Sequence, residues 1–482
     1  MDSSKGGPRG PTTGPPARSN RNVIIAVVVV IIVVVAAVAA IELTRHPSSP
    51  TNKVVITIWG SGSPGGEQEV FNQTVAAFEK AYPNVTVEDD PAVGVASTTF
   101  VSAAHAGKAP DIYRDTSDNA GVLFAGGLVL NLSKYLPASY FQNFTAGTLA
   151  DWTLNGAVYG LPINTNGVGL YYNKKFVKTP PTTLYQLVQE AEQINATYHV
   201  WGLVYGLGSD SGYRSAAFFP AFGGSIFNSQ EMPVLNSSQD IAAIGFLYNL
   251  TYKYHISPPG LTTMTEQEDM FMDNESAFMI DGPWDQSMYM AALGNDLGVT
   301  AIPYNNQTGD WPEPIWGSIG YFISSPQASG ASSAQIWASL KFIEMAVNAT
   351  NQWNLFVKAG DFPSLKSVAN EIYTNSSITS IDPLAPGWIS QEQHTQIQPN
   401  FVNMNYYWPN FATYVGNLYD NGTNNVSSVM NAFEKAVLTD IQQASSSVAM
   451  LMPSVHLSTT IQEISSVQNV KQSTLTSDSW KM

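Results

Sequence analysis

The 482-residue chain carries a net charge of −16, no cysteine and only 12% charged residues. The missing cysteine excludes disulfides, thiol chemistry and cysteine-ligated metals. No basic stripe follows residue 41, which excludes nucleic acid as a partner, because phosphate must be neutralised by Lys and Arg.

Residues 1–22 are a basic leader, with Lys5, Arg9, Arg18 and Arg21 against Asp2, a net of +3 that leaves −19 on the rest. Residues 23–41 are uncharged and apolar. At the helical rise they span roughly 28 Å, about one hydrocarbon core. Positive charge before the run places the leader in the cytoplasm and the body outside. The alternative is a cleaved secretory signal, since Ala37, Val38 and Ala39 have cleavage-site spacing. The expectation is a single-pass anchor with an extracellular body, or a secreted body if the segment is cleaved. Thirteen N-x-S/T sequons, beginning at Asn72, Asn84, Asn131 and Asn143, point to a glycosylated exterior. Residues 42–53 read as a Pro/Ser linker.

The folded body opens with "VVITIWGSGSPGGEQEVF", a strand, a glycine-rich turn and a helix. Gly60, Gly62 and Gly65 have dinucleotide-fingerprint spacing, and Glu88, Asp89 and Asp90 end the next strand where a ribose-binding acid would sit. Cytosolic nicotinamide chemistry is out of place outside a membrane. Pro64 also stiffens the turn where backbone would approach a pyrophosphate. The turn is expected to serve another ligand, and no cofactor is expected.

Strands and helices then alternate. The helix "EQEVFNQTVAAFEKAY" places Val70, Phe71, Ala77 and Phe78 on one face. After it come strand "VTVE", a helix through "TTFVSAAHAG", strand "PDIYRD" and a helix through "NAGVLFAGG". Later helices are expected at "TLYQLVQEAEQINA", "SSQDIAAIGFLYNLTYKY", "AQIWASLKFIEMAV" and "NVSSVMNAFEKAVLTDI". Strands are expected at "HVWGLVYGL", "SAFMI", "LGVTAIP" and "IGYFIS". The pattern is α/β, with ligands binding beyond the carboxyl ends of the strands. Residues 451–482 form a polar tail.

No catalytic set stands out. The six histidines are scattered, and neither a nucleophile elbow nor a P-loop occurs. No metal site is expected. A glycosidase's carboxylate pair cannot be picked from 37 acids. Several rings instead sit among Gly, Pro and Asn: Tyr213, Trp284, Trp316 and Trp408. Each is either core packing or a flat platform for a sugar's C–H face, with amides and carboxylates taking its hydroxyls.

The segments "ITIW", "FEKAYPNVTV", "GKAPDIY", "GAVYGLPINTNGVGLYYNK", "FGGSIF" and "MDNESAFMIDGPW" resemble, in order and spacing, the extracellular solute-binding proteins of ATP-binding-cassette sugar importers, the group typified by maltose-binding protein. The resemblance covers residues 54–448. It implies two α/β lobes joined by a multi-strand hinge (a type II periplasmic-binding-protein-like fold), closing on sugar with no catalytic residues. The lobes are expected at 54–163 plus 305–348 and at 164–304 plus 349–450. Carried over by position, Trp284 is the lobe-closing ring, Tyr213 a second platform, and Trp408 the late aromatic, with Tyr407 as alternative. Asp115, Asp118 and Asn119 follow "PDIYR"; Asn164 and Asn166 follow "LP", where relatives often carry an acid or an aromatic. Ser61 and Ser63 face the same cleft. The partners implied are a mono- or oligosaccharide and the importer's permease subunits, with the chain a monomer. Two alternatives stay open: a membrane-anchored glycan-processing hydrolase, and a receptor for a non-sugar solute.

Overall fold

The computed structural model describes residues 52–90, 97–205, 211–261, 263–420, 422 and 425–451. The leader, the apolar run at 23–41, nearly all of the linker and the tail beyond Leu451 lie outside the described residues. Among the described residues no helix is long and apolar enough to cross a membrane.

Thirteen strands are named in chain order: β1 (Val54–Trp59), β2 (Val85–Asp90), β3 (Ile112–Thr116), β4 (Thr153–Leu154), β5 (Ala157–Val158), β6 (Gly160–Asn166), β7 (Gly169–Asn173), β8 (Trp201–Val204), β9 (Ser276–Asp281), β10 (Leu297–Thr300), β11 (Ile315–Ile323), β12 (Phe362–Pro363) and β13 (Gln396–Ile397). A larger sheet runs β12-β6-β11-β3-β1-β2, with β13 paired to β11. A smaller one runs β10-β7-β9-β8, and β4-β5 is a hairpin. Parallel β2-β1-β3 is the mark of alternating strands and helices, whereas β11 enters antiparallel to both β3 and β6.

Helix α1 (Gly66–Ala81) buries Glu67, Val70, Phe71, Thr74 and Phe78. Their spacing makes one stripe. Ala77, expected in that stripe, is exposed, because it falls just past the edge set by Val70. Thr74 takes the place instead and donates its hydroxyl to Val70 O at 2.8 Å. Phe71 and Phe78 pack edge-on to Phe342 of a helix that crosses the same face. Phe100 stacks on Tyr113 on the opposite face, with ring centroids 4.2 Å apart.

Around the smaller sheet lie α2 (Leu184–Tyr198), α3 (Ser238–Tyr252) and the long α4 (Val426–Leu451). Ser237 caps α3 by accepting from Asp240 N, and Thr183 caps α2 by accepting from Gln186 N. Their apolar faces meet Leu203, Phe278 and Ile280 in a second core cluster.

The chain passes from one sheet to the other at residues 167–168, between β6 and β7, and returns through 301–314, between β10 and β11. The first crossing is tight because Gly167 lies under the Trp316 ring, where a Cβ would fall 2.4 Å from the indole. Residues 349–363, expected with the second lobe, sit against the larger sheet. Helix Ala349–Ala359 crosses α1 so closely that a Cβ on Gly66 would lie 2.3 Å from Lys358 O, and β12 then pairs with β6. Asn164 and Asn166, also expected in the second lobe, are residues of β6.

Candidate ligand-binding cleft

The turn after β1 explains the arrangement of the first wall. Gly60, Gly62 and Gly65 all have positive φ, and a Cβ on Gly62 would fall 3.1 Å from the Glu67 carboxylate. The turn thus curls around a residue of its own helix. Glu67 accepts from Ser63 N at 2.6 Å and from Arg114 Nη2 at 2.7 Å. Burial would raise the Glu67 carboxyl, but the Arg114 charge and the Ser63 N–H bring it below the ordinary range. The anion position of the glycine turn is therefore filled from inside. Glu88, Asp89 and Asp90 lie along β2, the edge strand, paired in register with Thr57, Ile58 and Trp59.

Where β1, β3, β6 and β11 meet the smaller lobe there is a cavity of about 310 Å³. Ser63, Ser117 and Asp118 line it from the carboxyl-end loops of the larger sheet, with Asn166 at the end of β6. Tyr213 and Trp284 line it from the smaller lobe, their ring centroids 6.3 Å apart at 57°. The Tyr213 hydroxyl lies 2.7 Å from Ile315 O and 3.1 Å from Asn166 O. It is spent on the crossing strands, and what it presents is its ring.

Trp284 is half-buried and folds back over Gly282, where a Cβ would sit 2.0 Å from the indole. Trp408 stands behind, 6.4 Å from Tyr213 and packed edge-on against Tyr407. Tyr407, the alternative ring, is fully buried and donates its hydroxyl to Gly212 O, so it belongs to the core. Burial raises the Asp118 carboxyl, while the Thr116 hydroxyl and the Asp118 and Asn119 N–H groups favour its charged form.

The other expected residues lie off this cavity. Ser61 is buried and donates to Gln68 Oε1 at 2.8 Å. Asp115 is fully buried; burial and the neighbouring Asp118 push its carboxyl up to about 8, against the Thr116 N–H and the Asn119 amide it accepts from. Asn119 is thereby engaged by Asp115. Asn164 donates to Asp361 at 2.9 Å, and Asn166 does so at 2.7 Å while also lining the cavity. Trp316 braces the crossing at Gly167 and meets Phe362 edge-on. Arg114, Thr116, Ser318, Ile319 and Gln398 also line the cavity. Of these, Arg114 lies in the expected strand "PDIYRD", Thr116 directly follows it, and Ile319 opens the expected strand "IGYFIS"; Gln398 had no sequence signal.

A carboxylate trio, Glu268, Asp281 and Asp285, has oxygens within 4.8 Å of one another. Arg214 donates to Asp281 at 2.5 Å, and Tyr289 donates to its other oxygen. Burial, then Asp281, pushes Glu268 and Asp285 up to about 7 each. The Arg214 charge offsets this rise only in part.

Among the described residues lining the cavity there is no histidine or lysine. Rings on one side and hydroxyls, an amide and a carboxylate on the other are suited to holding an uncharged polar ligand.

Comparison with known proteins agrees with this architecture. The chain is 24% identical over 405 residues to the maltotriose-binding protein of Pyrococcus abyssi, covering 83% of this chain and 84% of that one. It is 22% identical over 394 residues to the maltodextrin-binding protein MdxE of Bacillus subtilis, covering 77% and 86%. The maltotriose-bound MalE domain of Bdellovibrio bacteriovorus superposes with a TM-score of 0.72 at 24% identity, over 81% of this chain and all of that one. Residues 73–380, which hold most of both sheets and both crossings, match the family model described as bacterial extracellular solute-binding protein. A continuous match of that extent over a two-lobed α/β body makes the chain a member of the bacterial extracellular solute-binding proteins.

Proposed function

We propose that the chain is an extracellular carbohydrate receptor of the maltose and oligosaccharide class, a monomer that hands sugar unchanged to the permease subunits of an ATP-binding-cassette importer. The observation that carries this reading is the cavity between the lobes. The rings of Tyr213 and Trp284 face Ser63, Ser117, Asp118 and Asn166 across it. A pyranose is apolar on its faces and hydroxylated at its edge, so it matches both walls. The relatives named for maltotriose and maltodextrin support the sugar class. Closure about the crossings at 167–168 and 301–314 would join both lobes into one surface for the permease. Residues 23–41 tether the body to the membrane.

Intrinsic tryptophan fluorescence titrated with maltotriose tests the reading. A saturable change with the sugar recovered intact is expected, and NADH should give none. Release of smaller sugars, or no saturable change with any maltooligosaccharide, refutes it. Protease added to intact cells should remove the body and spare the leader; loss of the first forty or so residues from the native protein would instead indicate a cleaved signal.

A further inference from the structure

A second cavity, of about 240 Å³, opens between α2, α3 and the turn at 305–307, and it shares no lining residue with the cleft. One face of α2 supplies Tyr185, Val188, Gln189 and Glu192. Phe222, Phe246 and Tyr254 form the opposite side, with Phe222 and Phe246 5.7 Å apart. Tyr185 is 58% exposed, and Gln189 Nε2 donates to its hydroxyl at 2.7 Å, holding the ring at the rim.

Among the described residues no Lys or Arg lines the groove. Lys253 sits over the Tyr254 ring, 5.1 Å from its centroid, but is not one of the lining residues. Rings, neutral amides and one carboxylate are the chemistry of an uncharged polyol ring. A second observation points the same way. Asn306, exposed at the rim, opens the sequon Asn306-Gln307-Thr308. Its Oδ1 accepts from Tyr185 N at 3.3 Å, which leaves the other end of the amide, Nδ2, for attachment of a saccharide.

We infer that this groove is a second saccharide-binding site, filled either by free oligosaccharide or by a glycan carried on Asn306. In the second case Asn306 Nδ2 forms a bond to the anomeric carbon of a carrier-linked saccharide and loses one proton. The phosphate-bearing carrier leaves with the electron pair of the broken C–O bond. The inference rests on the lining of this groove and is independent of the cleft.

The test uses the full chain in detergent, made without glycosylation and carrying Trp284→Ala to weaken the cleft. Fluorotyrosine NMR follows titration with maltotriose and, separately, with N,N′-diacetylchitobiose. A saturable shift with at least one probe is expected, weakened at least tenfold by Tyr185→Ala and by Tyr254→Ala. Neither tyrosine change should alter maltotriose affinity at a cleft with Trp284 intact, so failure of the groove and failure of the cleft are told apart. Binding of maltotriose assigns the free source. Binding of the chitobiose alone assigns the glycan, and a glycopeptide at Asn306 in protein from the native cell is then required. No saturable shift with either probe, or shifts in resonances other than that of Tyr213 that survive both tyrosine changes, would overturn the inference.

Discussion

Trp284→Ala separates a ligand platform from core packing. The indole is half-buried, backed by Gly282 and turned toward Tyr213 and the cavity. A micromolar receptor has about −8 kcal/mol of binding free energy in total. Removing a central aromatic anchor costs about 2 kcal/mol, which is roughly thirty-fold in affinity. A core tryptophan truncated to alanine would instead cost about 3–5 kcal/mol of fold stability. Gly282→Ala is the companion change, because it keeps the ring but leaves it no room to lie back, a Cβ falling 2.0 Å away. Calorimetric titration with maltotriose and thermal melts on the same preparations read both quantities. Both variants should lose affinity, Trp284→Ala the more, with modest loss of melting temperature. A large drop in melting temperature with affinity intact would return Trp284 to the core and refute the assignment.

Arg114→Leu should destabilise the fold by about 3–5 kcal/mol at neutral pH, because Glu67 would be left as a buried carboxylate without its partner. The deficit, read by denaturant melts, should shrink in acid as Glu67 takes up a proton. For wild type, Glu268 and Asp285 are held at about 7, above their ordinary carboxylate values. Between roughly pH 4 and pH 7 the unfolded chain loses these protons while the folded chain keeps them, so stability falls as pH rises through that window. Glu268→Gln with Asp285→Asn should make the fall of melting temperature over that window shallower, leaving the part due to other raised carboxyls such as Asp115 and Asp151; an unchanged slope would show that these two groups do not contribute to it. Gly66→Ala should cost about 1–3 kcal/mol through overpacking, since its Cβ would lie 2.3 Å from Lys358 O. An unchanged melt would contradict that packing.

Much of the fold was legible because its signals are local. The 3.6-residue period marked helix α1 and helix Ser333–Ala346, and the apolar runs marked β1, β9 and β11. The lobe boundary was less so. Helix Ala349–Ala359 has an ordinary amphipathic pattern, and only its tertiary contact with Gly66 decides which sheet it joins. The site divides the same way. Tyr213 and Trp284 stood out as candidates because Gly or Pro lies beside each ring, and Ser63 and Asp118 through the resemblance; all four line the cavity, Tyr213 from a short helix, Ser211–Ala216. Trp316 carried the same local signal yet packs over Gly167, for a Gly neighbour signals close approach to a ring as readily as to a ligand. Asn164 looked available until Asp361, 197 residues away, was seen to hold its amide.

The glycine turn ties these observations to the ligand. A strand, a turn with three positive-φ glycines and a helix N-terminus create a position that attracts negative charge, whatever fills it. In this chain Glu67 bends back into that position and Arg114 neutralises it. A phosphate-bearing ligand would have to displace a carboxylate already paired within the fold, and it would also meet Asp118 on the cavity wall. An uncharged ligand meets no such opposition. The Ser63 N–H is consumed by Glu67, but the residue still lines the cavity, so its hydroxyl is what remains to be offered. The same residues that imitate a dinucleotide fingerprint therefore disfavour a dinucleotide and suit a neutral polyol.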